Sequence, residues 1–316
     1  MTSRTFPLFS GSERQTAWFH GVWRLVDPKI ALASLVPFIV GMALVYGQGA
    51  KIDLLIAGGA FIAIFLVEVG KNALNDLIDW RSGTDASVTN DERSPFSGGK
   101  RVIVDALLNE KDLVVIAIVA FLAAGLIGGA IAYVTRPSLL ILGAVAALVA
   151  IEYSVPPLKF SYRGLGELAV LLTYGPGIVI GSVLLFGGRV NADVITTSLV
   201  LGLIIANVLF INEMPDERAD REAGKRTLVV RLGRKRAARV FGLVFATAFA
   251  LAVIRFAFGG SPALLGLLLG IFPADYAFWS LREQPSGPPV ASQAATLIAY
   301  VTTGAGLIFI IWLSSI

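Results

Sequence analysis

Long apolar runs dominate the chain. Nine stretches are long enough, or nearly so, to cross a bilayer as helices: 29–47, 53–76, 112–134, 138–153, 167–187, 193–214, 237–257, 262–281 and 294–313. A spanning helix needs about 20 mostly apolar residues. The run at 138–153 is short, and Pro273 falls inside the eighth. None shows the strict alternation of a lipid-facing β-strand. The expected fold is therefore all-α: one membrane-embedded domain over residues 1–316, a bundle of about nine transmembrane helices. No cleavable signal peptide is read before the first run. Trp18, Phe19 and Trp23 look like anchors at the membrane interface.

Composition narrows the chemistry. Of 316 residues, 56% are hydrophobic and 15% charged, too apolar for a soluble globular enzyme. There is no Cys and a single His, His20. Disulfide scaffolds, zinc–thiolate sites, thiol nucleophiles and multi-histidine metal sites are thereby excluded. Charge distribution sets the topology. With nine spans, 21 of the 26 Lys/Arg lie on the side holding the N-terminus and the loops after spans 2, 4, 6 and 8. Only Lys51, Arg136, Arg189 and Arg255 lie opposite, and Lys71 is inside span 2. The positive-inside rule then predicts a cytoplasmic N-terminus and cytoplasmic loops.

Two acidic clusters end spans 2 and 6. Asn75-Asp76-Leu77-Ile78-Asp79 and Asn212-Glu213-Met214-Pro215-Asp216 share the pattern Asn, acid, two others, Asp, and begin 137 residues apart. That spacing suggests a parallel internal repeat, spans 1–4 and 5–8, followed by a ninth helix. Glu68, Asn72, Asp76 and Asp79 fall on one helical stripe, as do Asn212, Asp216 and Asp220 if Pro215 does not interrupt the helix. Clustered carboxylates at a membrane face call for a positive partner. Only oxygen ligands are on offer, which suits Mg²⁺ bridging carboxylates to a substrate's phosphates.

Basic loops accompany the acids: Trp80 to Arg101, Tyr153 to Glu167, and Asp220 to Thr227. Their glycines permit close backbone approach, and their Arg and Lys can contact phosphate oxygens. Arg231, Arg234, Lys235, Arg236 and Arg239 need only the positive-inside rule. Neither a Walker-type loop nor the Asp pattern of CDP-alcohol phosphotransferases is present.

Three stretches carry a family resemblance: NDLIDWRSGTD (Asn75 to Asp85), PPLKFSYRGLGE (Pro156 to Glu167) and DREAGKRTLVVRLG (Asp220 to Gly233). With the nine apolar runs they resemble the UbiA superfamily of intramembrane aromatic prenyltransferases, nearest the 1,4-dihydroxy-2-naphthoate polyprenyltransferase branch. The chain departs from the family at Asp27-Pro28-Lys29, where Arg-Pro is frequent, and in the run before Asp216 and the segment Arg93 to Gly99. The resemblance implies transfer of a polyprenyl group from its diphosphate to an aromatic acceptor in quinone or related lipid biosynthesis. It implies a helical bundle around a central chamber, with Mg²⁺ held by Asp76, Asp79, Asp216 and Asp220. Asp85 is either a further ligand or a loop cap. Arg93, Lys159, Arg163, Lys225 and Arg226 are candidates for the diphosphate, and Asn75 and Asn212 for orienting carboxylates or binding the acceptor. Tyr153, Phe160 and Tyr162 either shield an allylic cation or anchor the interface, and Glu68 either pairs with Lys71 or serves the chamber. The expected partners are a polyprenyl diphosphate, an aromatic or lipid acceptor and membrane lipid, with no nucleic acid. Other acceptors stay open: 4-hydroxybenzoate, a tetrapyrrole or a glycerol-phosphate ether. A transporter using carboxylates for ions is the alternative of another class.

Overall fold

The structure, a computed structural model, describes residues 11–284 and 287–315; Arg4, counted above with the basic side, lies outside them. Among the described residues every regular element is helical. Helix α1 (Gly11–Val26) meets α2 (Pro28–Gly47) at Asp27, and the pair bends by 42°. Then come α3 (Leu54–Ser82), the one-turn α4 (Thr84–Ser87), α5 (Glu110–Thr135) and α6 (Leu139–Glu152). Helices α7 (Gly166–Leu172) and α8 (Ile178–Leu185) are two halves of one span, joined by a π-helical turn at Thr173–Gly177. That turn contains Pro176, which has no N–H for the regular α-helical ladder. The chain continues through α9 (Ala192–Glu213), α10 (Glu217–Glu222), α11 (Leu228–Leu232) and α12 (Arg234–Ala257). A 3₁₀ segment at Pro262–Gly270 leads into α13 (Ile271–Glu283), and α14 (Val290–Leu313) ends the described fold.

All nine apolar runs lie on helices, yet nine full spans are not confirmed. Seven helical stretches are long and apolar enough to cross a membrane, and the bent α1–α2 pair makes an eighth. The run at 138–153 forms α6, whose 14 residues reach only about 21 Å at 1.5 Å per residue, against about 30 Å of hydrocarbon. The chain nevertheless returns to the same end. Glu110, at the start of α5, pairs with Arg81 at the end of α3 at 2.6 Å, and Tyr162, soon after α6, bonds Ser82 of α3 at 2.7 Å.

Burial separates the centre of the bundle from its rim. Two-thirds (67%) of the apolar window of α9 is buried, against 17% for α5, and α6 buries no residue at all. The main core gathers around α9, α12 and α14. A second, smaller cluster matters more for the site: Leu25, Ala73, Leu77, Val102, Ile103, Leu108, Leu113 and Ala117 pack together. It pins the last turns of α3, apolar side inward, against the loop that follows and the start of α5. The caps agree with these boundaries. Asp53 accepts from the Leu55 and Ile56 N–H groups to start α3, Gly83 in a left-handed conformation ends it, and Asn109 with Asp112 forms a capping box on α5.

Candidate active site

The first acidic motif rides on unbroken helix. Asp76 accepts the Val102 N–H at 3.2 Å through Oδ2, and its Oδ1 is buried with no hydrogen-bond partner. Asp79 is more fully engaged. Its Oδ1 accepts from the Tyr162 hydroxyl at 2.6 Å; its Oδ2 accepts from Asn75 Nδ2 at 2.8 Å and Lys225 Nζ at 3.2 Å. Asn72, which the stripe places with the acids, instead donates to the Leu25 carbonyl at 3.1 Å.

The second motif sits on a break. Helix α9 stops at Glu213, Met214 to Asp216 form a turn, and α10 begins at Glu217. Pro215 cannot donate to the helical ladder, so the regular stripe is interrupted. Asp216 is left at the junction, where Oδ2 accepts the Gly98 N–H at 3.2 Å and Oδ1 is buried without a partner. Asp220 is buried one turn on, 3.7 Å from Lys225 Nζ.

Lys225 therefore touches acids from both motifs, at 3.2 Å from Asp79 and 3.7 Å from Asp220. Burial works against its charge, but the two carboxylates outweigh that and raise it well above the ordinary lysine value. One ammonium does not balance the acids. Burial pushes the Asp216 carboxyl up to about 7, with Asp220 adding to it. Burial likewise pushes Asp220 up to about 6 against the pull of Lys225. Asp85 is raised well above the usual carboxylate range by burial and then by the charges of Asp79 and Asp76.

The loop after α4 closes over these acids. Gly98 and Gly99 have φ of 93° and 72°, a region that favours glycine. A Cβ on Gly99 would fall 2.3 Å from Asp85 Oδ1. The Arg101 guanidinium donates to the Asp85 and Val88 carbonyls. Arg218 of α10 grips Glu92 through two bonds of 2.7 Å and donates to the Ser87 carbonyl at 2.6 Å. Sequence reading passed over Gly98 and Val102 as amide donors, and Arg101 and Arg218 as clamps. The adjacent glycines at 98–99 were the available signal.

The other sequence candidates are placed as follows. Lys159 Nζ stands 3.7 Å over the Tyr162 ring, with Lys225 at 5.4 Å. Arg163 is exposed and donates to the Pro157 carbonyl at 2.9 Å, back onto its own loop. Arg93 and Arg226 are exposed; the Arg226 backbone N–H donates to the Tyr162 carbonyl. Asn212 Oδ1 is buried without a partner. Phe160 is half-buried in the short 3₁₀ turn before Tyr162. Glu167, and Glu213 of the second pattern, to neither of which the sequence assigned a role, each bury a carboxylate oxygen without a partner.

Deeper in the membrane lies a cavity of about 470 Å³, walled by α3, α5, α6, α7 and α8. Its lining is almost wholly apolar and rich in Ala and Gly. Glu68, Lys71, Tyr153 and Tyr174 are among its few polar residues. Tyr153 joins the two regions: it lines the cavity, and the charges of Glu213, Lys225 and Asp79 act on its hydroxyl.

Among the described residues no three acids lie close enough to enclose a single metal ion. The donor set nonetheless suits Mg²⁺. The free, buried oxygens of Asp76 and Asp216 are hard donors, and this ion is commonly bound by one or two carboxylates with substrate phosphates completing its shell.

Known proteins resemble this chain along most of its length. The family model described as the UbiA prenyltransferase family matches residues 34–298. A 1,4-dihydroxy-2-naphthoate octaprenyltransferase of Escherichia coli K12 is 33% identical over 72% of this chain and 71% of its own length. A 2-carboxy-1,4-naphthoquinone phytyltransferase of Synechocystis is 28% identical over 69% and 68%. A solved UbiA homologue from Archaeoglobus fulgidus, bound to GPP and Mg²⁺, shares the fold with a TM-score of 0.65 at 15% identity, covering 92% of this chain and 99% of that one. An integral membrane bundle with two acid motifs over an apolar chamber thus coincides with a family match across most of the sequence: the chain belongs to the UbiA prenyltransferase family.

Proposed function

We propose that this prenyltransferase moves a polyprenyl group from its diphosphate to 1,4-dihydroxy-2-naphthoate, using Mg²⁺. Membership of a prenyltransferase family displaces the transporter alternative. One observation carries the site: acids from two distant stretches, Asp79 and Asp220, meet on the same Lys225. The naphthoate acceptor is supported by the names of several relatives, including those of Escherichia coli and Bacillus subtilis.

In this reading Asp76, Asp79, Asp216 and Asp220, with Asp85, would hold Mg²⁺, no more than two of them on any one ion and the substrate's phosphates completing its shell; when bound, the metal neutralises charge on the leaving diphosphate. Lys225 lies where it can meet the same oxygens, and the Gly98 and Val102 amides fix the carboxylates. The donor's C–O bond breaks and its electron pair leaves with the diphosphate. The allylic cation that remains is attacked by a carbon of the electron-rich ring, forming the C–C bond; that carbon then gives up its proton to the released diphosphate or, if it bears the carboxylate, loses CO₂, and the ring regains aromaticity. Tyr153 and Tyr162 face this zone and offer π-density to the cation. The prenyl tail occupies the apolar cavity, which excludes water from the cation. Arg93, Lys159, Arg163 and Arg226 are assigned as further diphosphate contacts; Arg163, which donates to the Pro157 carbonyl, must turn away from it to serve.

We read the acid-bearing face as cytoplasmic on the positive-inside rule, and the chain as one domain with an internal repeat, spans 1–4 and 5–8, followed by a last helix. Membranes containing the protein, given labelled prenyl diphosphates and a panel of acceptors, should yield prenylated naphthoate product by mass spectrometry. Product from 4-hydroxybenzoate alone would overturn the acceptor assignment.

A further inference from the structure

Two charges stand in the wall of the apolar cavity. Of the residues lining it, Glu68 and Lys71 alone are charged. They occupy adjacent positions one turn apart on α3. Such groups at membrane depth are costly and mark function far more often than packing. Lys71 Nζ donates to the Tyr174 hydroxyl at 2.9 Å and lies 5.8 Å and 5.5 Å from the ring centroids of Tyr153 and Tyr174. An ammonium carries three donors, and this bond uses one. Neither oxygen of Glu68 makes a hydrogen bond.

Position narrows the ligand. Lys71 is five residues before Asp76, about 7.5 Å along the helix at 1.5 Å per residue. That is one layer beneath the acids, where a donor's first carbons and an acceptor ring must meet. A diphosphate reaching that depth would leave the acids and Lys225 behind. A flat ring flanked by Tyr153 and Tyr174, carrying an anionic substituent, fits all three groups. The acceptors for which two relatives are named are a naphthoate and a carboxy-naphthoquinone, both carboxylated rings.

We propose that Lys71 selects the acceptor: its ammonium binds a carboxylate on the aromatic ring between Tyr153 and Tyr174, and Glu68 supplies its counter-charge while the chamber is empty. The inference rests on the prenyltransferase reading and goes beyond it by naming the group that recognises the acceptor's acid.

The test uses the full chain in lipid nanodiscs with Mg²⁺ and farnesyl diphosphate. Two acceptors are compared, 1,4-dihydroxy-2-naphthoate and 1,4-dihydroxynaphthalene, which lacks the carboxylate. Lys71→Met should lower the ratio of kcat/KM for the first over the second by at least about tenfold, mainly through acceptor KM, since a charge-assisted bond is lost. Lys71→Arg should restore most of that ratio. Should Lys71→Met fail to fold because Glu68 is stranded, the Glu68→Gln/Lys71→Met double variant keeps the chamber neutral and should show the same fall. An unchanged ratio, or a rise in donor KM instead, overturns the assignment. Wild-type protein that prenylates only the uncarboxylated ring overturns it while the prenyltransferase reading stands. Wild-type protein that prenylates neither ring overturns the naphthoate acceptor assignment together with it.

Discussion

The two acid motifs read alike in the sequence and are built differently. Asn75 to Asp79 lies on α3, which runs on unbroken to Ser82, and Asn75 donates to Asp79 within the same helix at 2.8 Å. Asn212 to Asp216 straddles the end of α9, and Asp216 depends on a distant amide, that of Gly98, to hold it. Helical continuity thus fixes the backbone of the first motif locally, although its carboxylates also take the Val102 amide, the Tyr162 hydroxyl and Lys225. The second is fixed by tertiary contact, through the loop at 98–101 and the Arg218 clamp. The difference predicts that a change at Gly98 disturbs Asp216, whose backbone lies at a helix break, more than Asp76, whose backbone lies within α3.

The largest effects remove a carboxylate. Asp76→Ala and Asp216→Ala should each lower kcat by at least about 10²–10³, the range for losing one preorganised electrostatic contact, while both variants insert and fold. Full activity in either, with Mg²⁺ and donor present, removes that acid from the metal site. Lys225→Met comes next. It strands Asp79 and Asp220, and breaking a buried charge pair costs up to about 3–5 kcal/mol. Melting of the metal-free protein should reveal this, and added Mg²⁺ should recover part of it. Equal losses with and without Mg²⁺ would separate Lys225 from the metal's charge.

How far these motifs are legible from sequence follows from the same contrast. Asp76 and Asp79 follow helical spacing, so a pattern of threes and fours finds them. Asp216 is found by the repeated Asn-acid-x-x-Asp pattern and Asp220 by the step of four that follows it, although Pro215 breaks the helix that step assumes. Spacing cannot find Gly98 or Val102, because they act through backbone N–H groups that every residue but proline carries. Arg218 is equally hidden, since its partner Glu92 is 126 residues away. Asn72 misleads for a similar reason: it shares the stripe but turns to the Leu25 carbonyl. The fold itself reads more easily, because burial in lipid demands long apolar runs. The short α6 is where that signal falters, its composition apolar but its length inadequate.

Gly99→Ala sharpens the contrast between local and tertiary support. It puts a side chain at φ 72° and a Cβ 2.3 Å from the Asp85 carboxylate. Strain of about 1–3 kcal/mol is expected at such a position. Activity should fall about tenfold or more, with a greater loss of affinity for Mg²⁺ than for acceptor. A variant with wild-type Mg²⁺ dependence would show that the loop does not support the acids.

Acidity tests the same cluster without mutation. Asp216 and Asp220 are raised from 3.8 to about 7 and about 6. Between those values the folded chain keeps protons that the unfolded chain has released, so this stability is full below about pH 4 and lost as pH rises through the raised values. Metal-free protein should therefore lose stability from these groups between about pH 4 and pH 7. Mg²⁺ should raise Tm more at pH 8 than at pH 5, since it competes with protons for the same oxygens. A larger Mg²⁺ effect at pH 5 would show that other groups bind the ion.

The smallest expected effect comes from the clamp that joins the two motifs at the surface. Hydrogen bonds from Arg218 hold the Glu92 carboxyl down at about 2, below the usual 4.5. Here the sign is opposite to that of the buried acids: the contribution is present above about pH 4.5 and fades as pH falls toward 2. Arg218 is largely exposed, so water and salt screen the pair, and surface pairs are weak. Glu92→Gln should lower kcat/KM by at most about fivefold, and the loss should shrink at high salt. Because the clamp bears on α10, the fall should come with weaker Mg²⁺ dependence in the Asp76→Asn background than in the Asp216→Asn background, where the acid it positions is already neutral. Equal effects in the two backgrounds would mean that the clamp steadies the whole face, and that the second motif needs no more tertiary support than the first.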